Sequence, residues 1–163
     1  MRAPVEAADW EGDIAYRYGA SLYVQSFFWE AHEVWEAVWM TCPPNGIERR
    51  FLRGLIGLAN AALKLRMGRP KAALRLLREA DETFGEVGAG PVMGVAIVRL
   101  QAAIRELAVT LEAVGDGADA DGDRYRNAPG GHTGTPTEVN PAVARILRPL
   151  DAVALDLEGG AAL

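Results

Sequence analysis

Residues 47–67 read IERRFLRGLIGLANAALKLRM, and this stretch decides the fold. Its apolar residues return at steps of three and four, which is the period of an amphipathic α-helix and not of a strand. The residues that share one side are Ile47, Phe51, Leu55, Leu58, Ala62 and Leu65. The spacing predicts one long helix whose apolar side is largely buried.

Gly54, Gly57 and Asn60 follow one another at three-residue steps in the same stretch. They form a narrow strip without large side chains. A glycine inside a helix costs roughly 1 kcal/mol relative to alanine, so two of them need a structural reason. The strip predicts either a close crossing with another helix or access for a ligand.

The helical period extends in both directions, from Asp13 to Val114. Glycine and proline interrupt it, because glycine ends helices and proline starts them more readily than it continues them. The pattern predicts five helices, at about residues 13–24, 27–40, 47–67, 71–87 and 92–114. The predicted fold is an all-α, single-domain helical bundle.

The two ends of the chain differ from this body. Residues 1–12 are predicted to be an N-terminal leader. Residues 115–140 are rich in Gly, Asp, Pro and Thr, which predicts a flexible acidic linker. Asn140 and Pro141 have the order of an N-cap followed by a first helical residue, so residues 141–163 are predicted to add a C-terminal helical segment.

Composition and charge restrict the function classes. The chain has 163 residues, half of them hydrophobic, and a net charge of -5. The acidic balance disfavours nucleic acid, whose binding relies on clustered Lys and Arg. Apolar runs fall short of the roughly 20 residues of a membrane-spanning helix, and the N-terminus lacks the apolar segment of a secretory signal. With Cys42 as its single cysteine, we expect a cytoplasmic protein without membrane or nucleic-acid partners.

Residues 27–39, FFWEAHEVWEAVW, hold the candidate functional site. His32 and Glu36 are four residues apart and therefore share one side of the predicted helix. Large apolar residues bracket the pair on a helical wheel, which predicts a partly buried environment. Such a pair needs partners, so it binds a metal ion, passes a proton, or is a hydrogen-bonded structural pair.

Other polar residues are candidates around this pair. Glu30 and Glu33 lie about a quarter to a half turn away from His32, so one straight helix cannot bring them all to one ion. Asn60 and Arg53 belong to the third helix. If that helix packs antiparallel to the second, Asn60 is expected to reach His32 and Arg53 to reach Glu36.

These segments resemble the bacterial and archaeal family called domain of unknown function 309. The resemblance covers residues 27–77. It rests on Ala31-His32-Glu33, on Glu36 and Trp39, and on a FLxGLIQLA-like helix at residues 51–59. It implies an all-helical bundle and a metal-dependent hydrolase.

Two positions depart from the family pattern. Gly57 stands where a glutamine is common, and Lys64 stands where many relatives have histidine. His32 is therefore the single histidine of the helical body, which disfavours zinc. An oxygen-rich site for manganese or magnesium stays open, with ligands added from a second helix or subunit.

The first predicted function is a hydrolase that acts on a small-molecule substrate. His32, Glu33 and Glu36 are its candidate catalytic residues, and His32 and Glu36 are its candidate ligands for a divalent metal ion. The ion would lower the pKa of a bound water, and a carboxylate would take the proton.

The second predicted function is a non-enzymatic interaction or scaffold protein. Residues 68–74 resemble part of a helix-pair repeat. Trp29, Trp35 and Trp39 are spread around much of one helix, so a one-sided core would not cover them all, whereas formation of a homo-oligomer would.

Overall fold

The computed structural model describes residues 9–114 together with Leu150, Val153 and Ala154. Five α-helices make up this part of the chain: α1 (Ile14–Val24), α2 (Phe28–Thr41), α3 (Ile47–Arg66), α4 (Pro70–Val87) and α5 (Ile97–Val114). A one-turn 3-10 helix, Trp10–Gly12, precedes α1, and the described residues include no strand. The prediction of an all-α helical bundle is confirmed.

Several predictions fall outside the described residues. They are most of the leader at residues 1–12, the linker at 115–140 and nearly all of the segment at 141–163. Within that last segment, Leu150 and Val153 are buried in the core. The Val153 carbonyl accepts a hydrogen bond from Arg17 Nε at 3.4 Å.

Local chemistry sets the ends of the helices. Asp13 caps α1, since its Oδ1 accepts a hydrogen bond from the Tyr16 amide at 2.8 Å. Pro70 is the first residue of α4, where its missing amide hydrogen costs nothing. Gly68, between α3 and α4, has a φ of 69° that suits glycine best.

Helix α5 begins at Ile97 and not at the predicted residue 92. Val92 and Val95 instead exchange two backbone hydrogen bonds, at 3.0 and 2.9 Å, around a tight turn. Met93 and Gly94 in that turn both have positive φ, which a right-handed helix does not allow. The apolar residues keep their helical spacing through this turn. A prediction from that spacing alone therefore started α5 too early, at residue 92.

Helix α3 is the centre of the bundle, because it packs against both α2 and α4. The buried side predicted from its sequence is present and includes Phe51, Leu55, Leu58 and Ala62. Ile47 was predicted on this side but is exposed. It is the first residue of α3 and adjoins the exposed turn at residues 43–45.

The glycine strip of α3 is where α4 crosses it. A Cβ atom at Gly54 would lie 2.5 Å from Cε1 of Phe84, which is closer than any real contact. At Gly57 the atom nearest to an added Cβ would be the Ala80 Cβ at 3.8 Å, an ordinary contact. Of the two predicted reasons for the strip, the close helix crossing is the observed one at Gly54.

Aromatic rings connect this crossing to the start of the chain. Ring centroids are 6.0 Å apart for Phe51 and Phe84, 6.3 Å for Tyr16 and Phe51, and 6.3 Å for Trp10 and Tyr16. The Tyr16 hydroxyl donates a hydrogen bond to the Met93 carbonyl at 2.7 Å. Burial raises the pKa of Tyr16 well above its usual range, so this donor keeps its proton.

Helices α1 and α2 meet through the indole of Trp35. This side chain is fully buried, and its Nε1 donates a hydrogen bond to the Tyr16 carbonyl at 3.1 Å. The indole lies directly over Gly19, where any Cβ would overlap it. Gly19 is therefore needed for packing, although it lowers the helical propensity of α1.

None of the helices among the described residues has both the length and the apolar character needed to span a membrane.

Gly54→Ala is expected to lower the free energy of unfolding by about 1–3 kcal/mol, because its methyl group overlaps the Phe84 ring. Gly57→Ala is the matched control. It makes only an ordinary contact and gains helical propensity, so it should leave stability unchanged or raise it by up to about 1 kcal/mol. Urea unfolding followed by circular dichroism measures both, and equal losses would contradict the described crossing.

Candidate functional site

Helix α2 buries one side and leaves a polar pair at its edge. Its buried residues are Phe28, Ala31, Trp35 and Val38. Phe27 fits the apolar period of this helix but is exposed, because it precedes the first residue of α2. The His32 side chain is 16% exposed, as expected for a position at the edge of the buried side.

His32 and Glu36 are brought together as predicted. His32 Nε2 lies 3.7 Å from Glu36 Oε2, within ion-pair range but longer than a hydrogen bond. The Glu36 side chain is 43% exposed, so solvent reaches this end of the pair. Trp29 meets the imidazole edge to face, with ring centroids 5.3 Å apart. An apolar ring and a carboxylate thus flank the histidine.

The second nitrogen of His32 has no hydrogen-bond partner in the described part of the chain. Its Nδ1 atom is buried and makes no hydrogen bond to any described residue. Leaving a buried polar atom unpaired costs about 1–3 kcal/mol, so native proteins rarely do so without a reason. Within the described residues, His32 is therefore not part of a fully hydrogen-bonded pair.

Two arginines of α3 hold the ends of α2. Near the start of α3, Arg49 Nη1 donates hydrogen bonds to the carbonyls of Trp39 and Cys42, at 3.2 and 3.0 Å. At the other end, Arg66 Nη2 donates to the Ser26 carbonyl at 2.6 Å. These contacts make α2 and α3 antiparallel neighbours, as the short turn between them predicts.

The antiparallel register places Asn60 at about the level of His32, as predicted, but among the described residues no hydrogen bond reaches His32 Nδ1. Arg53 is exposed on α3. Among the described residues, Glu36 forms an ion pair with His32 and not with Arg53. The sequence therefore predicted the level of these residues along the helices but not their contacts.

Glu30 and Glu33 are exposed on α2 and lie outside the pair, in agreement with the helical geometry. Across residues 9–114 and the three described C-terminal residues, no three His, Cys, Asp or Glu side chains converge in a way that could hold a metal ion. A structural zinc site uses four protein ligands and a catalytic one usually three. The donors described here do not by themselves complete a metal centre.

Sequence reasoning missed the contact between Trp39 and Arg49. The Arg49 guanidinium carbon lies 3.9 Å from the centroid of the Trp39 ring, a cation–π distance. The Trp39 Nε1 atom is buried without a hydrogen-bond partner among the described residues. Their positions on either side of a short turn between antiparallel helices could have suggested that they meet.

The fold and this site define an all-α helical bundle with a His–Glu pair at the edge of its second helix. Residues 16–76 match the family model described as Domain of unknown function (DUF309). The matched region includes most of α1, all of α2 and α3, and the start of α4. The resemblance inferred from the motif residues is confirmed. No curated protein and no solved structure matches the chain.

Arg49→Met is expected to lower the free energy of unfolding by about 1.5–3 kcal/mol, because it removes charged hydrogen bonds to the last carbonyls of α2. Arg50→Met is the matched control, since Arg50 is an exposed neighbour and should change stability by no more than about 0.5 kcal/mol. Chemical unfolding at one salt concentration compares them. Equal effects would show that Arg49 does not hold α2.

Proposed function

We propose that the chain is a hydrolase in which His32 accepts a proton and Glu36 orients its imidazole ring. The observation that carries this proposal is a buried Nδ1 atom that has no partner among the described residues, on a ring whose Nε2 atom faces a carboxylate. A histidine that served packing alone would be expected to have both nitrogens satisfied or exposed to solvent.

The carboxylate determines which nitrogen is reactive. Glu36 beside Nε2 favours the tautomer that carries its proton on Nε2, so Nδ1 keeps a free lone pair. This is the arrangement of hydrolases in which an acid on one ring nitrogen prepares the other as a base. The 3.7 Å separation is long for a hydrogen bond, but catalytic pairs often tighten only when substrate binds.

The environment of His32 suits a small polar substrate. Trp29 provides an apolar wall on one side of the ring, and Glu36 provides a solvated acceptor on another. Glu33 stays a candidate catalytic residue and is exposed on α2. The proposed roles are those of base for His32 and positioning residue for Glu36.

A divalent metal ion remains a proposal beside this one. His32 and Glu36 are its candidate ligands, and the others would have to come from water, substrate or a second copy of the chain. Such an ion would lower the pKa of a bound water. The proton transfer proposed for His32 does not depend on it.

Hydrolysis is tested with chromogenic ester, phosphate-ester and peptide-amide substrates, each with and without manganese or magnesium. We expect turnover of one class that falls by about 10²- to 10⁴-fold in His32→Ala, the usual range for loss of a general base. Glu36→Gln should cost about 10- to 100-fold, as loss of an orienting partner does. Glu82→Gln, an exposed carboxylate on α4, is the control and should have no effect.

Nitrogen NMR of the His32 ring tests the same pairing without a substrate. The proton is expected on Nε2 in the wild type and is expected to be shared between both nitrogens in Glu36→Gln. Turnover that survives in His32→Ala, or a wild-type ring protonated mainly on Nδ1, would contradict the proposed role. Loss of turnover in a chelator with recovery in manganese would support the metal ion.

Self-association as an interaction module is the second candidate function, and exposed apolar side chains on α2 favour it. Trp29 is 42% exposed and Met40 is 66% exposed. The main packing contacts join each helix to the next along the chain, from α1 to α5. Arrays of helix pairs used for binding pack in this way.

Trp29→Ser is expected to weaken self-association by about tenfold or more, since tryptophan is the residue most often dominant in interfaces. Val109→Ser is the matched control, because Val109 is an exposed apolar residue on α5, away from α2. Analytical ultracentrifugation over a range of concentrations measures the affinity. A wild-type monomer at every concentration would exclude this candidate function.

A further inference from the structure

A second buried polar atom without a partner among the described residues, Trp39 Nε1, lies on the same side of α2 as His32. Trp39 follows His32 by seven residues, which is about two helical turns or roughly 10 Å along the axis. Its Nε1 atom is buried without a hydrogen-bond partner among the described residues. An indole nitrogen can only donate a hydrogen bond, so the missing partner must be an acceptor.

A positive charge lies against the same indole. The Arg49 guanidinium stacks on the Trp39 ring at 3.9 Å, with Nη1 directed to two backbone carbonyls. No carboxylate among the described residues pairs with Arg49. The guanidinium has five N–H groups in a planar fork, and hydrogen bonds from Nη1 leave others available.

Several arginines and another indole in the bundle have their partners. Arg78 pairs with Glu112, and Arg105 pairs with Asp81 at 2.9 Å. The Trp35 indole donates to the Tyr16 carbonyl. Within the described part of the chain, an unsatisfied indole donor beside an arginine without an acidic partner is therefore particular to Trp39 and Arg49.

We propose that Trp39 and Arg49 form a subsite for an oxyanion, the carboxylate or phosphate group of a small molecule. The indole N–H and the guanidinium N–H groups would donate to its oxygens, and the arginine would balance its charge. Because Nε1 is buried, binding includes a shift of the Arg49 or Trp39 side chain that opens a path to it.

The position of Glu36 restricts how such a molecule lies. Glu36 is three residues before Trp39 and four after His32, so its carboxylate lies between these two residues on the same side of α2. It repels an oxyanion placed at its own level, whereas the Arg49 guanidinium favours an oxyanion at the Trp39 end. The substrate class is then an elongated molecule whose acidic group is about two helical turns from the bond that reacts at His32.

This substrate class rests on the proposed function, whereas oxyanion binding at Trp39 and Arg49 does not. The two are separated by measuring binding in His32→Ala as well as in the wild type. If His32→Ala binds the oxyanion as tightly as the wild type, the subsite proposal is supported even when His32 has no catalytic role.

The test is a titration of the intact protein with sodium phosphate and, separately, with sodium acetate, at constant ionic strength set by chloride. Proton–nitrogen NMR follows the indole N–H signals, and Trp39→Phe assigns the signal of Trp39. We expect a saturable shift of this signal with at least one of the two anions. The Trp35 signal is the internal control and should not move, because its donor is already bonded.

Arg49→Met should weaken the affinity by about tenfold or more, as loss of a charged hydrogen-bond donor does. The Trp35 signal also reports whether this variant is folded. In Trp39→Phe the Arg49 Nε–H signal provides the readout, and a weaker affinity is expected there too. The subsite is overturned if the Trp39 signal moves no more than that of Trp35, or if Arg49→Met binds as tightly as the wild type.

Discussion

The close crossing of α3 and α4 is the constraint on which the rest of the bundle depends. The Phe84 ring occupies the space that a side chain at position 54 would fill. The Phe84 ring contacts Phe51, which contacts Tyr16, which in turn contacts Trp10. This series of aromatic contacts connects α4, α3 and α1 with the segment before α1. The same helix α3 also packs against α2.

The pairing of α2 with α3 connects the fold to the candidate site. Arg49 and Arg66 bind backbone carbonyls at the two ends of α2 and hold the helices side by side. Trp35 is buried toward α1, and this rotation of α2 leaves His32 and Trp39 at the edge of the core. Both have a buried nitrogen without a partner among the described residues, a cost of about 1–3 kcal/mol each that packing alone does not explain.

Much of the fold could be predicted from the sequence, because helical period and Gly and Pro positions are local signals. The exceptions lie at helix ends. Phe27 and Ile47 fit the apolar period but are exposed, since each adjoins a turn where no other described helix covers it. Positive φ at Met93 and Gly94 delays the start of α5, and side-chain periodicity contains no information on that backbone geometry.

The candidate site also has a part that the sequence predicts and a part that depends on packing between helices. The sequence by itself determined that His32 and Glu36 are neighbours, because a spacing of four residues places two side chains together on any α-helix. Only the tertiary structure decided that Asn60 does not bond to His32 Nδ1, which has no partner in the described ranges, and that Arg49 covers Trp39. Contacts between helices depend on their separation and rotation, which are set by the packing of the whole core and not by the spacing of residues along one helix.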